Sequence, residues 1–257
     1  MCKQNLFILA FVHSSPNNVK ERNQIRLTWG GDKTFNGKDF RTVFMLGDPL
    51  NSTIQRIIVE EARKYKDIVQ GDFKDSYRNL TYKHIMGLSW TIRNCPNVRY
   101  ILKTDDDTMV NVFNMMEYLN FTEQNKNFLY CSIFTVQTPF RFFTKWLVSI
   151  LEYPFAKYPY YCQGFAYLMT PDVAEKLLNA SECAKMFWID DVYVTGILNV
   201  YANVPFLQMT SNHSFTIMKK ENLGASVKNV MFILSRKKRM RESWNTAWNS
   251  ILKYSRG

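Results

Sequence analysis

The chain of 257 residues has no apolar run of the roughly 20 residues that a membrane-spanning helix needs. Its first apolar run, residues 6–12, is too short, and it lacks the positively charged lead of a signal peptide. We therefore interpret this run as a buried strand. If the protein follows the secretory route, we expect its signal or N-terminal membrane anchor to be absent from this sequence.

The sequence also lacks internal repeats, low-complexity segments and a flexible linker. With 46% hydrophobic and 15% aromatic residues, the composition suits a globular chain. We predict one domain, residues 1–257, with a nucleotide-binding half at about 5–111 and an acceptor-binding half at 112–257.

None of the five cysteines forms a CxxC pair, which argues against a zinc ribbon or a thioredoxin motif. An oxidising lumen would allow two disulfides and one remaining thiol, for which we expect Cys2. The pairing itself stays open. Five glycosylation sequons favour the secretory route, and they begin at Asn51, Asn79, Asn120, Asn179 and Asn212.

The net charge of +11 favours phosphate-bearing or anionic partners. Part of the excess lies in residues 236–239 and Arg241, which suit either a solvated helix face or a phosphate or membrane-surface contact. We do not expect nucleic acid as a partner, because the basic residues show no binding-module motif and two acidic groups would remain unexplained.

Apolar runs alternate with helix-like stretches, which is the pattern of an α/β fold. The predicted strands are 6–12, 42–46, 67–69, 100–104 and 128–134. The predicted helices are 14–30, 52–65, one from about 76 to before Cys95, one from Thr170 and one over 190–201. Residues 140–161 are rich in aromatics and are predicted to form an irregular region that shapes an acceptor site.

The most informative segment is residues 100–111, where a short apolar run ends in Asp105, Asp106 and Asp107. Three adjacent carboxylates repel one another unless a cation shares them. At the carboxyl end of a strand, where ligands bind in α/β proteins, they can hold Mg²⁺ or Mn²⁺ and thereby a diphosphate. A solvated acidic turn is the alternative. A phosphatase of the haloacid-dehalogenase type would require Thr where Met109 stands.

Three further groups have ordinary explanations when taken alone. Asp190 and Asp191 lie at a predicted helix start, where they can cap the helix or accept a proton from a sugar hydroxyl. Arg22 and Arg26 share a helix face and can approach a diphosphate, or form a solvated helix edge. An aromatic cluster at 158–167 can stack on sugars or pack in a core, and Gly164 within it permits close backbone approach.

Taken together and in order, these segments resemble the β1,3-galactosyltransferase and β1,3-N-acetylglucosaminyltransferase family, glycosyltransferase family 31. The motifs are RxxIRxTW, DFxDSYxNLTxK, KxDDDxxVN, YPxYxxGxxY and [ED]DVYxG, and they begin here at Arg22, Asp72, Lys103, Tyr158 and Asp190. The resemblance covers residues 6–250. It implies a GT-A-type fold with a mixed central sheet flanked by helices, and it implies a Golgi membrane protein with a luminal catalytic domain.

The resemblance also implies an activity and its residues. A hexose, galactose or N-acetylhexosamine, would move from a UDP-sugar to the 3-hydroxyl of an acceptor glycan on a glycoprotein or glycolipid, with inversion and with Mn²⁺ or Mg²⁺. Asp191 would be the general base, with Asp190 as the alternative. Asp107 would be the main metal ligand and Asp105 a further one. The nucleotide side would comprise Arg22, Arg26, Asp72, Lys83, Asp105, Asp106 and Gly164.

The chain departs from the family pattern in three places. Leu234 stands where the family often has a metal-binding His, Phe165 makes the glycine-rich segment bulky, and Val194 is an extra residue in the last motif. Leu cannot bind a metal, although His213 could supply a nitrogen instead. A family member that has lost turnover and only binds a sugar or a partner is therefore the alternative function.

Overall fold

Strand β1, Leu6–His13, lies at the centre of the fold, and all eight of its side chains are buried. It pairs in parallel with β3, Lys38–Asp48, on one side and with β5, Tyr100–Asp105, on the other. A continuous apolar run is typical of a parallel strand that is covered on both faces. The sequence interpretation of residues 6–12 as a buried strand is confirmed.

The computed structural model describes residues 2, 6–31, 33–35, 37–122, 126–210, 215–217, 227, 230–235 and 244–255. The remaining strands are β2 (Lys33–Phe35), β4 (Ile68–Lys74), β6 (Thr108–Val110), β7 (Leu129–Phe134), β8 (Tyr161–Met169), β9 (Phe206–Gln208), β10 (Phe215–Ile217) and β11 (Phe232–Leu234). The helices are α1 (Val19–Leu27), α2 (Ser52–Tyr65), α3 (Leu80–Asn94), α4 (Val112–Phe121), α5 (Pro171–Ser181), α6 (Leu198–Ala202) and α7 (Trp244–Ser255).

The main sheet is mixed and has the order β2-β3-β1-β5-β8-β7-β9, with β4 also paired to β3. The strands from β4 to β5 are parallel, whereas β8 runs antiparallel to both β5 and β7. The reversal at β5 brings the carboxyl end of β5 beside the amino-terminal part of β8. The predicted α/β class with a mixed central sheet flanked by helices is confirmed.

A second, three-stranded sheet has the order β10-β11-β6. Its β6 begins directly after the acidic triplet, and β11 pairs antiparallel with it, so that Leu234 lies opposite Thr108. The backbone N–H of Ser235 donates to the carbonyl of Asp107 at 2.9 Å. This small sheet therefore holds Leu234 beside the acidic triplet.

Two apolar cores cover the two faces of the main sheet. One contains Trp29 near the end of α1 together with Trp244 of α7, and the other contains Leu88 of α3 and Leu177 of α5. Successive side chains of a strand point to opposite faces. Neighbours Ile8 and Leu9 therefore contribute to different cores, and the sheet is fixed between two helical layers.

Some predicted boundaries need correction. Helix α1 begins at Val19 rather than near Ser14, because the Ser15 and Pro16 carbonyls accept hydrogen bonds from the Arg22 side chain instead of entering a helix. Residues Tyr77–Asn79 form a short 3₁₀ turn before α3. The stretch after Asp190 is helical as predicted, but Val192–Ile197 is a π-helical segment. Such segments often occur at functional sites.

All five cysteines lie among the described residues, and they form two disulfides, Cys2–Cys95 and Cys131–Cys162. Cys183 is the remaining thiol and is exposed, so the expectation that Cys2 would be left over was wrong. Two disulfides fit an oxidising compartment. Within the described ranges, no helix is both long and apolar enough to cross a membrane. The prediction for residues 236–239, Arg241 and His213 lies outside the described residues.

Candidate active site

The acidic triplet lies at the edge of the main sheet where β5 ends. Asp105 is the last residue of β5, and Asp106 and Asp107 form the turn into β6. All three border a pocket of about 340 Å³ that also contacts Ser14 and Lys83. Strand β5 therefore delivers the three carboxylates to the border of a pocket, and ligand binding there stays a prediction.

Asp106 has a structural role within this edge. Its Oδ2 accepts hydrogen bonds from Ser14 Oγ at 2.7 Å and from Asn18 Nδ2 at 2.8 Å. Burial raises the pKa of Asp106, and these two bonds oppose that shift. Asp106 thus ties the end of β5 to the loop that follows β1, which leaves its neighbours to face the pocket.

Asp105 and Asp107 offer suitable oxygen ligands for a divalent cation. No side chain in the described ranges forms an ion pair or hydrogen bond with the Asp107 carboxylate, and burial, followed by the negative charge of Asp106, raises its pKa. Burial likewise raises the pKa of Asp105 to about 7, against the effect of Lys103, although its side chain is 39% exposed to the cleft. Open, partly desolvated carboxylates fit hard cations such as Mn²⁺ or Mg²⁺.

Lys83 supplies a cation at the floor of the same pocket. Its Nζ lies 2.8 Å from Asp75 Oδ2 and donates to the Ser14 carbonyl at 2.6 Å. The side chain is 3% exposed, so its ammonium is fixed rather than mobile. The structure places Lys83 in the pocket of the acidic triplet, and its assignment to the nucleotide side stays a prediction.

A second pocket of about 440 Å³ adjoins the first, and His13 and Asp105 border both. It contains Asp190 and Asp191 at the start of the helical stretch, and Gly164 on β8. Its wall includes aromatic side chains, namely Tyr77, Phe134, Phe140, Trp146, Tyr158, Tyr161, Phe165 and Trp188. The second acidic pair therefore lies in an aromatic cleft next to the acidic triplet.

The two carboxylates of this pair have opposite electrostatic properties. Burial alone would raise the pKa of Asp190, but the hydrogen bond from His84 and the charge of Lys103 hold it below its usual value. Burial, followed by the charge of Asp190, raises the pKa of Asp191 to about 7. A carboxylate with a pKa near neutrality can accept a proton from a hydroxyl group.

Arg22 and Arg26 do not face either pocket, which corrects the prediction that they line the nucleotide side. The Arg22 side chain is fully buried and forms a bidentate pair with Glu61, at 2.9 and 2.6 Å. Arg26 pairs with Asp67 at 2.7 Å and with Glu61 at 2.7 Å. These charged donors are occupied by Glu61 of α2 and by Asp67 in the turn before β4, so neither arginine is available to a ligand in the pockets.

Asp72 is also not brought to the pockets. It is exposed on β4 and borders neither of them. The aromatic cluster at 158–167 is divided: Tyr158 and Tyr161 are 8% and 7% exposed and pack in the core beneath the cleft, while Tyr160 is 58% exposed. Core packing therefore accounts for most of this cluster.

Leu234 borders the cleft that contains Asp191, and it is 8% exposed. Its place opposite Thr108 puts it beside the acidic triplet, as the family resemblance implied. An apolar side chain at this place provides no ligand for a cation. A cation bound here would depend on the carboxylates, on the diphosphate and on water.

The sequence analysis missed two buried residues that border the cleft, His13 and Lys103, and one that lies behind it, His84. His13 Nδ1 lies 3.7 Å from Asp190 Oδ2 and 3.9 Å from Asp105 Oδ1. Lys103 Nζ lies 2.7 Å from Asp105 Oδ1 and also donates to the Gly164 carbonyl. His84 Nδ1 lies 3.0 Å from Asp190 Oδ2. Lys103 lay within a quoted motif, but nothing in the spacing of the histidines indicated that they would meet an acid 106 residues away from His84.

The fold and the two adjoining acidic groups define a glycosyltransferase of the GT-A type. The sequence profile of the family described as galactosyltransferase matches residues 20–210. The chain belongs to this galactosyltransferase family and is an enzyme of the transferase class.

Among curated relatives, β-1,3-galactosyltransferase 5 of Gorilla gorilla gorilla is 36% identical over 219 residues, which are 83% of this chain and 72% of the relative. UDP-GalNAc:β-1,3-N-acetylgalactosaminyltransferase 1 of Rattus norvegicus is 37% identical over 202 residues, 77% of this chain and 61% of the relative. Among solved structures, the crystal structure of a glycosyltransferase involved in the glycosylation of the major capsid of PBCV-1 has a TM-score of 0.50 at 10% sequence identity. The match covers 94% of this chain and 98% of the other. That likeness supports the fold alone.

Proposed function

We propose that this enzyme transfers a hexose, galactose or N-acetylhexosamine, from a UDP-sugar to the 3-hydroxyl of an acceptor glycan, with inversion at the transferred sugar. The single observation that carries the proposal is the arrangement of the two acidic groups. The carboxylates of Asp105 and Asp107 lie in one pocket, and Asp191 lies in the adjoining aromatic cleft. The names of the relatives support the β1,3 linkage and the choice of sugars.

The first pocket would bind the donor, and the second would bind and activate the acceptor. The donor's diphosphate would lie beside Asp105, Asp107 and Lys83, where a divalent cation held by the two carboxylates would neutralise charge on the leaving UDP. Asp191 accepts the proton of the acceptor's 3-hydroxyl as that oxygen attacks the anomeric carbon. The bond between the sugar and the diphosphate breaks as the new glycosidic bond forms. The aromatic wall would hold the faces of the acceptor sugar.

The test is a transfer assay with purified protein, a panel of UDP-sugars and acceptors that end in galactose or N-acetylhexosamine, with Mn²⁺ or Mg²⁺. We expect transfer from one UDP-hexose, and we expect NMR of the product to show a β1,3 linkage. A sugar-binding protein without turnover would bind UDP in the presence of Mn²⁺ but form no product and hydrolyse no donor. Transfer to another hydroxyl would contradict the linkage alone.

We also propose that the domain works in the Golgi lumen, on a glycoprotein or glycolipid acceptor. Support comes from the two disulfides and from three sequon asparagines that are exposed, Asn51, Asn120 and Asn179. The test is expression of the full-length protein in cells, with fluorescence microscopy and a glycosidase-sensitive shift in gel mobility. A cytosolic location without attached glycans would contradict this proposal.

A further inference from the structure

His84 lies at the centre of a buried polar chain that ends at the acidic pair. Its side chain is on α3 and is fully buried. On one side, Nδ1 lies 3.0 Å from Asp190 Oδ2. On the other side, Nε2 is hydrogen-bonded to the hydroxyl of Tyr167, which is also fully buried on β8. The rings of His84 and Tyr167 are stacked, with centroids 5.9 Å apart.

The partners determine which ring nitrogen carries the proton. An ionised carboxylate only accepts hydrogen bonds, so Nδ1 of His84 must carry the proton and donate to Asp190. Burial, opposed by the Asp190 contact, lowers the pKa of His84, so the ring is neutral and Nε2 is an acceptor. Burial holds the pKa of Tyr167 well above its usual value, and its O–H therefore donates to Nε2. The chain runs in one direction, from Tyr167 through His84 to Asp190.

We propose that His84 is a positioning residue: Tyr167 locks it as the Nδ1–H tautomer, and its N–H fixes the Asp190 carboxylate beside Asp191. His84 borders neither pocket and cannot touch a substrate. It therefore acts on the reaction only through Asp190 and Asp191. This inference rests on the proposed function of Asp191. A buried carboxylate without its donor would lose orientation and would favour its protonated form.

Two substitutions of His84 test its hydrogen bonds with Asp190 and Tyr167 one at a time. In H84N, the side-chain amide lies near the position of Nδ1 and can still donate to Asp190, while the contact with Tyr167 is lost. In H84Q, the amide reaches the position of Nε2 and keeps Tyr167, while Asp190 loses its donor. In H84Q we expect kcat to fall about 10- to 100-fold. In H84N, which keeps the donor to Asp190, we expect the loss of kcat to be several-fold smaller. The KM for the UDP-sugar should not change in either variant, because the donor pocket does not contact His84.

Equal losses in both variants, or wild-type kcat in H84Q, would overturn the inference. If H84N fails to fold in a thermal melt, Y167F takes its place, because it also removes the contact with Nε2 and keeps His84 as the donor to Asp190. We expect the same small loss of kcat, and a loss in Y167F as large as that expected for H84Q would overturn the inference. A wild-type protein that transfers no sugar would instead contradict the proposed function.

An independent measurement requires no activity. The chain has three histidines, so the ring nitrogens can be resolved by NMR of protein labelled with ¹⁵N-histidine. At pH 7 we expect one neutral ring with the proton on Nδ1, whose signals disappear in H84Q and shift in Y167F. A His84 ring that carries its proton on Nε2, or on both nitrogens, would overturn the proposed tautomer.

Discussion

Gly164 lies directly against Asp191. A methyl group on Gly164 would come within 3.0 Å of Asp191 Oδ2 and 3.2 Å of its Cβ. Real Cβ contacts are seldom this short, so the carboxylate would have to move. The glycine therefore sets the position of the proposed base, whereas the sequence analysis assigned it to the nucleotide.

The first prediction concerns this contact. In G164A we expect kcat to fall about 10- to 100-fold, because a small displacement of a catalytic group has a large effect on rate. UDP binding in the presence of Mn²⁺ should be unchanged, since Asp107, the proposed main metal ligand, lies in the other pocket. Isothermal calorimetry and a transfer assay on the same sample would show both. Loss of UDP binding would return Gly164 to the nucleotide side.

Much of the fold was predictable from the sequence, because local patterns determine it. Helix α2 has the predicted bounds of Ser52–Tyr65, where Asn51 accepts from two backbone N–H groups at its start. The short strands of the second sheet were missed, because three residues such as Phe232–Leu234 carry no periodicity. The roles of Arg22 and His84 depend on partners 39 and 106 residues away, which spacing along the chain does not reveal.

The second prediction concerns the cation site. In D107A we expect Mn²⁺-dependent UDP binding to be lost, because the substitution removes the carboxylate that has open ligand positions. D72A is the matched control: Asp72 is exposed on β4, and its removal should leave binding unchanged. Calorimetry with UDP and Mn²⁺, with a thermal melt to confirm folding, gives the answer. Unchanged affinity in folded D107A would show that the cation binds elsewhere.

The third prediction concerns the proposed base. D191N keeps the size of the side chain and removes its basicity, so turnover should fall by about two to four orders of magnitude. Donor binding should barely change. Single-turnover transfer and UDP calorimetry separate the two effects. Near-normal turnover would move the role of base to Asp190 or to another residue.

The fourth prediction concerns pH. The pKa of Asp191 is raised to about 7 by burial and by Asp190, and a base must be ionised to act. At saturating donor and cation, kcat should therefore decrease as the pH falls through about 7. In D190N the neighbouring negative charge is absent, so the pKa of Asp191 should be lower and kcat should decrease at a lower pH. If kcat of D190N decreases at the same pH as kcat of the wild type, a group other than Asp191 controls the pH dependence.

The last prediction concerns Leu234, which lies opposite Thr108 and borders the cleft. Its side chain offers no ligand, so the divalent ion should bind weakly and the metal requirement should be high. In L234H an imidazole can add a nitrogen ligand, and the Mn²⁺ concentration for half-maximal UDP binding should fall. L234F supplies a ring without a nitrogen and should leave that concentration close to wild type. Side-by-side Mn²⁺ titrations of the three proteins decide the matter, because coincident curves would show that residue 234 does not face the cation.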